Sequence, residues 1–269
     1  MSAAACDPAG RLAALTERLR AAGCVFAEEE AELLAGAADS PEALRTMVDQ
    51  RVAGMPLEHI VGWAEFCGMR IAVEPGVFVP RRRSELLVHL ASGRVVPGSV
   101  VVDLACGSGA IGAAIAAEAA AAAVPLELHA CDIDAAAVQC ARRNLSAVRG
   151  QVHAGDLYEA LPAGLRGRVS VIAANVPYVP SEAVVLMPPE ARMHEPLLAL
   201  DGGADGLDVL RRAVNGASAW LAPGGYLLIE TSSGQATVAA EAFRAAGLAA
   251  EIAVDEELGA TVIIGRRPA

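Results

Sequence analysis

The sequence predicts an α/β protein with a doubly wound, mostly parallel β-sheet, preceded by a small helical domain and a β-hairpin linker. Three observations lead to this prediction. From Val95 onwards, short runs of Val, Ile and Leu alternate with stretches of helical periodicity. A glycine-rich turn follows the first strand-like run. Residues 1–64 show helical spacing alone, so we place domain boundaries at 1–64, 65–94 and 95–269.

The N-terminal domain is predicted to hold three helices. The first carries apolar residues on one face, at Leu12, Leu15 and Leu19. The second covers residues 28–37. Ser40 followed by Pro41 is typical of an N-cap and a first helical residue, so the third helix begins there and ends at Gly54.

The linker is predicted to be a β-hairpin followed by a connecting helix. Apolar residues of the segment 65–80 lie on both sides of the tripeptide Glu74-Pro75-Gly76. Proline and glycine together mark a turn, so we expect the hairpin to reverse at this tripeptide.

The C-terminal domain is predicted to alternate strands with helices. Helices are expected after the glycine-rich turn and over residues 133–144 and 236–246. The last two strands are separated by a short loop, which favours an antiparallel edge of the sheet. The predicted strands are 100–104, 126–132, 152–154, 169–175, 225–231, 251–254 and 261–265.

Composition limits the classes of function. The formal net charge is −11, so the phosphate contacts that dominate nucleic-acid affinity are disfavoured. Every basic residue is Arg. The one basic run, Arg81-Arg82-Arg83, is either a solvated turn or a partner-binding element. The six cysteines lack metal-site spacing, and no segment resembles a signal peptide or a membrane span. We therefore expect a reduced, cytoplasmic protein with no metal and no membrane partner.

The glycine-rich turn lies between a predicted strand and a predicted helix. It begins at Asp103 and contains Gly107, Gly109 and Gly112 in the spacing GxGxxG. Glycines there let the backbone approach a ligand closely. The same spacing occurs in nicotinamide-dependent oxidoreductases, and it also suits a tight turn that only packs a helix on a strand.

Asp132 ends the next predicted strand. A carboxylate at this place can bind both hydroxyls of a ribose, although it can also cap the following helix. Asp134 is better placed for the cap, so we assign Asp132 to ribose binding.

The segment Asn175-Val176-Pro177-Tyr178 follows another predicted strand. In an open parallel sheet, ligands bind beyond the carboxyl ends of the strands, where this segment meets the glycine-rich turn and Asp132. The side-chain carbonyl of Asn175 and the main-chain carbonyl of Val176 can accept two hydrogen bonds from an NH₂ group. Tyr178 offers a flat face to a planar group. An ordinary turn before Pro177 is the alternative.

With these residues in place, the chain resembles the HemK/PrmC family of S-adenosylmethionine-dependent methyltransferases, which modify a glutamine side-chain amide in peptide chain release factors. The resemblance covers most of the chain. Besides the residues above, its motifs are 54–68, Val79-Pro80-Arg81, Gly155-Asp156-Leu157, Glu195-Pro196, Ala199-Leu200, Gly203, Asp205 to Asp208, Pro223-Gly224-Gly225, and Glu230 with Gln235.

The resemblance implies a fold, a cofactor and a role for each matched position. The fold is the class I methyltransferase fold, Rossmann-like with seven strands, and the cofactor is S-adenosylmethionine. The helical domain would recognise a protein substrate. The implied cofactor residues are Asp103, Ala105, Cys106, Gly107, Ser108 and Gly109 around the methionine part, Asp132 at the ribose, and Asp156 and Leu157 at the adenine. The implied substrate residues are Asn175, Val176, Pro177 and Tyr178, with Asn175 also near the cofactor.

Two positions depart from the family pattern. Val176 stands where the family usually has proline. After Pro80-Arg81 the family usually continues with proline, an acid and threonine before glutamate, whereas this chain has the run Arg81-Arg82-Arg83-Ser84-Glu85. Two other functions therefore stay open. One is a methyltransferase for a different amide or exocyclic amine, on a nucleic-acid base or a small molecule. The other is a non-catalytic cofactor-binding module.

Overall fold

The computed structural model describes residues 8–269, and it begins with a four-helix unit. Leu19, Leu34 and Val48 are fully buried between the helices. The Ser40 side chain accepts a hydrogen bond from the Ala43 amide at 3.1 Å, which confirms the predicted cap. The short fourth helix was not predicted. The helices are α1 Pro8–Ala21, α2 Ala27–Ala37, α3 Pro41–Val52 and α4 Leu57–Val61.

The β-hairpin exists, but its predicted turn is wrong. Strands β1 (Trp63–Phe66) and β2 (Met69–Ala72) pair antiparallel around the two residues Cys67 and Gly68. Both have positive φ, 49° and 69°, as the tight turns that match strand twist require. The tripeptide 74–76 forms a separate turn after the hairpin, closed by a hydrogen bond from the Val77 amide to the Glu74 carbonyl.

The C-terminal domain is a seven-stranded sheet in the order β5-β4-β3-β6-β7-β9-β8. The first five strands of this order are parallel, and β9 runs antiparallel to both β7 and β8, as predicted. The strands are β3 Ser99–Leu104, β4 Leu126–Asp132, β5 Gln151–Ala154, β6 Val169–Ala174, β7 Leu221–Thr231, β8 Ala249–Asp255 and β9 Ala260–Arg266.

Helices cover both faces of this sheet. Residues of α5, α6 and α7 pack on one face, and those of α10 and α11 pack on the other. Alternate residues of β3 point to opposite faces, so Val101 lies in one core and Val102 in the other. The helices are α5 Glu85–Ser92, α6 Ala110–Ala121, α7 Ala135–Leu145, α8 Pro189–His194, α9 Leu197–Leu200, α10 Asp208–Ala217 and α11 Ala236–Ala245.

The order of the strands around β3 determines where a ligand site is expected. After β3 the chain moves outward through β4 and β5, and then returns to the other side of β3 as β6 and β7. The crevice at such a reversal is where open α/β sheets bind ligands. No helix among residues 8–269 combines the length and the apolar character that a membrane span needs. The five cysteines of this part of the chain are free thiols, and Cys6 lies outside the described residues.

Candidate functional site

A cleft lies at the carboxyl ends of β3, β4 and β6. Counted with its open mouth, it holds about 1380 Å³ of empty space. The predicted site residues meet there, with the exception of Asp103 and Gly109. Those that line it are Ala105, Cys106, Gly107, Ser108, Asp132, Asp156, Leu157, Asn175, Val176, Pro177 and Tyr178.

The glycine-rich turn forms one wall of the cleft. Ala105, Gly107 and Gly109 have φ of 56°, 53° and 77°, which turns the backbone sharply between β3 and α6. Gly109 packs on α7, where an added Cβ would lie 3.1 Å from the Ala141 Cβ. Gly112 packs on β3, because its Cβ would lie 3.1 Å from Asp103 Oδ2. The first glycine faces open space, and the later two permit close packing of helix and strand.

Asp103 lies behind this turn. Its side chain is fully buried, and Oδ2 accepts a hydrogen bond from the Gly112 amide at 2.8 Å. Its other oxygen, Oδ1, has no hydrogen-bond partner. Burial raises the pKa of this carboxyl to about 7, with a smaller contribution from the nearby charge of Asp132. Asp103 thus anchors the first turn of α6 to β3.

Asp132 lines the cleft and also braces the turn. Its Oδ2 accepts from the Gly107 amide at 2.8 Å, and its Oδ1 accepts from the Asp134 amide at 2.9 Å. Burial raises its pKa above the ordinary value, against the lowering effect of these bonds. Each carboxylate oxygen has a second lone pair, so a further donor can still be bound. Asp134 caps α7 by accepting from the Ala136 amide at 2.7 Å, as predicted.

Asp156 and Leu157 lie at the end of β5 beside the cleft. The Asp156 carboxylate forms an ion pair with Arg212 on α10, whose side chain also lines the cleft. Leu157 has a φ of 46°, which is uncommon for a residue with a side chain. Arg212 was not predicted as a site residue, because α10 itself was missed.

Asn175 follows β6 and faces a buried serine. Its Nδ2 donates to Ser84 Oγ at 3.1 Å, and Ser84 immediately precedes α5. Asn175 itself lines the cleft. The oxygen of its amide, Oδ1, is the group that can accept from a ligand. Ser84 was not predicted as a site residue.

The backbone of Pro177 and Tyr178 is held by a glycine loop. A Cβ on Gly202 would lie 2.7 Å from the Pro177 carbonyl oxygen, and a Cβ on Gly206 would collide with the Tyr178 carbonyl. Gln235 Nε2 donates to this same Tyr178 carbonyl at 2.9 Å. Gly206 and Gln235 belong to the motifs quoted in the sequence analysis, and these contacts fix the main chain beside the predicted acceptor carbonyl of Val176.

The arginine run closes the opposite side of the cleft. Arg81 forms an ion pair with Glu195, and Arg83 Nε lies 3.2 Å from Glu230 Oε1. The two carboxylate side chains are only 1% exposed. Arg81 and Arg83 are therefore more than a solvated turn, because both side chains, although partly exposed, are paired with buried carboxylates.

Comparison with known proteins decides the family. A family model described as "Methyltransferase small domain" matches residues 68–187. The release factor glutamine methyltransferase of Geobacter sulfurreducens is 34% identical, covering 84% of this chain and 78% of the relative. That of Xylella fastidiosa is 38% identical, covering 86% and 84%. The chain belongs to the release factor glutamine methyltransferase family.

Membership confirms the resemblance drawn from the motifs. A methyltransferase from Pyrococcus furiosus has a similar solved structure, with a TM-score of 0.55, 17% identity, and coverage of 75% of this chain and 90% of that one. At this identity the likeness concerns the fold alone. The fold is the class I methyltransferase fold, as predicted, and the oxidoreductase alternative does not hold. The roles of single residues stay predictions.

Proposed function

We propose that this protein transfers the methyl group of S-adenosylmethionine to the side-chain amide nitrogen of a protein glutamine. The substrate is the glutamine of the Gly-Gly-Gln sequence in a peptide chain release factor. The observation that carries the proposal is the position of Asn175 and Val176 in the same cleft as the glycine-rich turn, with the Asn175 amide anchored on Ser84. The two relatives described above are release factor glutamine methyltransferases, which supports the choice of substrate.

The cleft residues fit the proposed cofactor. Gly107 has no side chain and faces open space, which leaves room for a methionine group beside the turn. Asp132 would bind the ribose with the lone pairs that the two backbone amides leave unused. Asp156 and Leu157 would flank the adenine, and Arg212 holds the Asp156 carboxylate in place. The bound cofactor supplies a methyl group already activated by a sulfonium.

The chain's own residues perform the orientation step. An amide nitrogen is a weak nucleophile, so the site must bring nitrogen, methyl and sulfur into line. Asn175 Oδ1 and the Val176 carbonyl accept the two N–H bonds of the substrate amide and favour the positive charge that grows on nitrogen. Val176 keeps the carbonyl that a proline would supply, and Pro177 biases it to extended geometry. The proton leaves afterwards to water.

Recognition of the protein substrate is assigned to the helical domain, residues 1–64. Arg51 of α3 reaches the cleft-flanking helix α8, with Nη1 3.2 Å from Glu190 Oε2. Its Nε lies 2.7 Å from Oε2 of the buried Glu30 on α2. This pair of contacts ties the helical domain to the rim of the site. A cytoplasmic location, where release factors act, is part of the proposal.

The proposal is tested by methyl transfer from labelled S-adenosylmethionine to a purified, unmethylated release factor. The matched control is the same factor with the Gly-Gly-Gln glutamine replaced by asparagine. Label on the first substrate and none on the second supports the proposal. Label on both, or label only on added DNA or RNA, contradicts it, and the acidic net charge of −11 disfavours the nucleic-acid outcome.

A further inference from the structure

Glu230 is a buried carboxylate next to the proposed acceptor site. It lies near the end of β7, it does not line the cleft, and its side chain is 1% exposed. Its Oε1 accepts a hydrogen bond from the Tyr178 hydroxyl at 3.1 Å and another from Arg83 Nε at 3.2 Å. A carboxylate so deeply buried is costly unless it is paired; these two donors pair Oε1, whereas Oε2 has no hydrogen-bond partner among the described residues.

Arg83 also contacts the Tyr178 ring. The guanidinium carbon lies 5.7 Å from the ring centroid, within the range of a cation–π contact. Arg83 and Tyr178 both line the cleft, whereas Glu230 lies behind them. The three residues come from three separate parts of the chain: the turn before α5, the segment after β6, and β7. Each of the three residues contacts the other two.

The contacts of the Tyr178 main chain and of its ring are separate. Gln235 and the glycine loop hold the carbonyl, as described above. The hydroxyl bond to Glu230 and the contact with Arg83 act on the ring itself. Burial and the Glu230 charge also raise the pKa of Tyr178, so the phenol stays protonated and remains a donor.

We propose that Arg83 and Glu230 are positioning residues, which hold the Tyr178 ring as the flat wall of the pocket for the acceptor amide. This inference rests on the proposed function. Arg83 has a double role, because it neutralises the buried carboxylate and covers the ring that this carboxylate orients. This positioning role also gives a function to one residue of the arginine run, whose function could not be decided from the sequence alone.

Steady-state transfer to a release factor tests this with four variants: Tyr178→Phe, Glu230→Leu, Glu230→Gln and the double variant Tyr178→Phe/Glu230→Leu. Tyr178→Phe should lower kcat/KM for the release factor by about tenfold, the size of one lost hydrogen bond, and Glu230→Leu by at least as much, because it also removes the contact with Arg83. The double variant should fall no further than the worse single one, because both remove the same bond. Glu230→Gln keeps an acceptor oxygen and should recover most of the loss.

Cofactor affinity separates positioning from general damage. The dissociation constant of S-adenosylmethionine, measured by calorimetry, should change by less than about threefold in every variant. Losses that multiply in the double variant contradict the inference. So does a glutamine variant as impaired as the leucine variant.

A readout independent of transfer distinguishes this inference from the proposed function. The chain has three tyrosines, so ring-labelled tyrosine gives few NMR signals. The Tyr178 ring signals, assigned with Tyr178→Phe, should shift in Arg83→Met and Glu230→Leu and stay near wild type in Glu230→Gln. Unchanged signals in Arg83→Met and Glu230→Leu overturn the positioning role. Wild-type protein that binds S-adenosylmethionine and methylates no release factor instead overturns the proposed function.

Discussion

The side-chain amide of Asn175 donates a hydrogen bond to Ser84 Oγ across 3.1 Å, although 91 positions of sequence separate the two residues. Ser84 is buried in the short turn that leads into α5. The bond orients the side-chain amide of Asn175, which lines the cleft. The oxygen of this amide is an acceptor, which is the group that a substrate NH₂ requires.

Replacing Asn175 by alanine should reduce turnover by about a hundredfold or more, since it removes an acceptor for the charge that grows on nitrogen. The affinity for S-adenosylmethionine should stay within about threefold, because the other cofactor residues remain. Single-turnover transfer and calorimetry measure the two quantities. A variant with unchanged turnover would remove Asn175 from the mechanism.

Ser84 offers a matched pair of substitutions. Ser84→Thr keeps the hydroxyl, and Ser84→Val replaces it by a methyl group of nearly the same size. We expect the valine variant to turn over about tenfold more slowly than the threonine variant, because the Asn175 amide loses its partner. Equal rates for the two variants would show that the hydroxyl does not orient Asn175.

Replacing Asp132 by alanine should weaken binding of S-adenosylmethionine by about 1–3 kcal/mol, through lost ribose hydrogen bonds and a freed Gly107 amide. Calorimetry on the purified protein measures this directly. Asp255→Ala is the control, because Asp255 accepts a backbone amide at 2.9 Å in a turn at the start of the β8–β9 connection. If both variants bind equally well, Asp132 has only the structural role.

Asp103 predicts a pH dependence of stability. Its pKa is raised from 3.8 to about 7 by burial, so the native state binds a proton that the unfolded state has lost. The stabilisation is fully present below about pH 4 and is lost as the pH rises through about 7. Asp103→Asn keeps an acceptor for Gly112 and does not titrate.

The measurement is Tm against pH for wild type and Asp103→Asn. Other groups titrate alike in both proteins, so the difference between the two Tm values at each pH reports the ionisation of Asp103. The wild type should lose stability relative to the variant between about pH 4 and 7. Parallel curves would mean that Asp103 ionises normally in the folded protein.

Removal of residues 1–61 tests the helical domain, because β1 begins at Trp63 and stays intact. We expect the shortened protein to bind S-adenosylmethionine and to fail in methylation of a release factor, since the Arg51 contact with α8 and the proposed recognition surface are both absent. Full activity of the shortened protein would assign recognition to the catalytic domain.

Most of the sheet could be predicted, because each strand of the parallel part is a short apolar run bounded by turn residues. The position of the hairpin turn could not be predicted, because a cysteine such as Cys67 does not indicate a positive φ. Pro75-Gly76 does indicate a turn, but this turn lies outside the paired strands β1 and β2. Helix α10 was missed despite a detectable pattern. Its buried residues Leu210, Ala213, Val214 and Ala217 have helical spacing.

The site residues likewise fall into those that could be predicted from the sequence and those that could not. Residues just after a strand, such as Asp132 and Asn175, could be predicted to meet because parallel strands end at one edge. The residues that contact these predicted site residues could not be predicted. Ser84, Arg212 and Glu230 reach the site from elements far along the chain, and no spacing rule links them to the residues that they hold.

The most direct measurement is mass-spectrometric localisation of the transferred methyl group. The protein, S-adenosylmethionine and an unmethylated release factor are incubated together, and the Gly-Gly-Gln peptide is fragmented. We predict the mass of one methyl group on the glutamine side chain, present with wild type and greatly reduced with Asn175→Ala. A methyl group on another residue, or an unmodified peptide with a cofactor-bound enzyme, would contradict glutamine amide methylation.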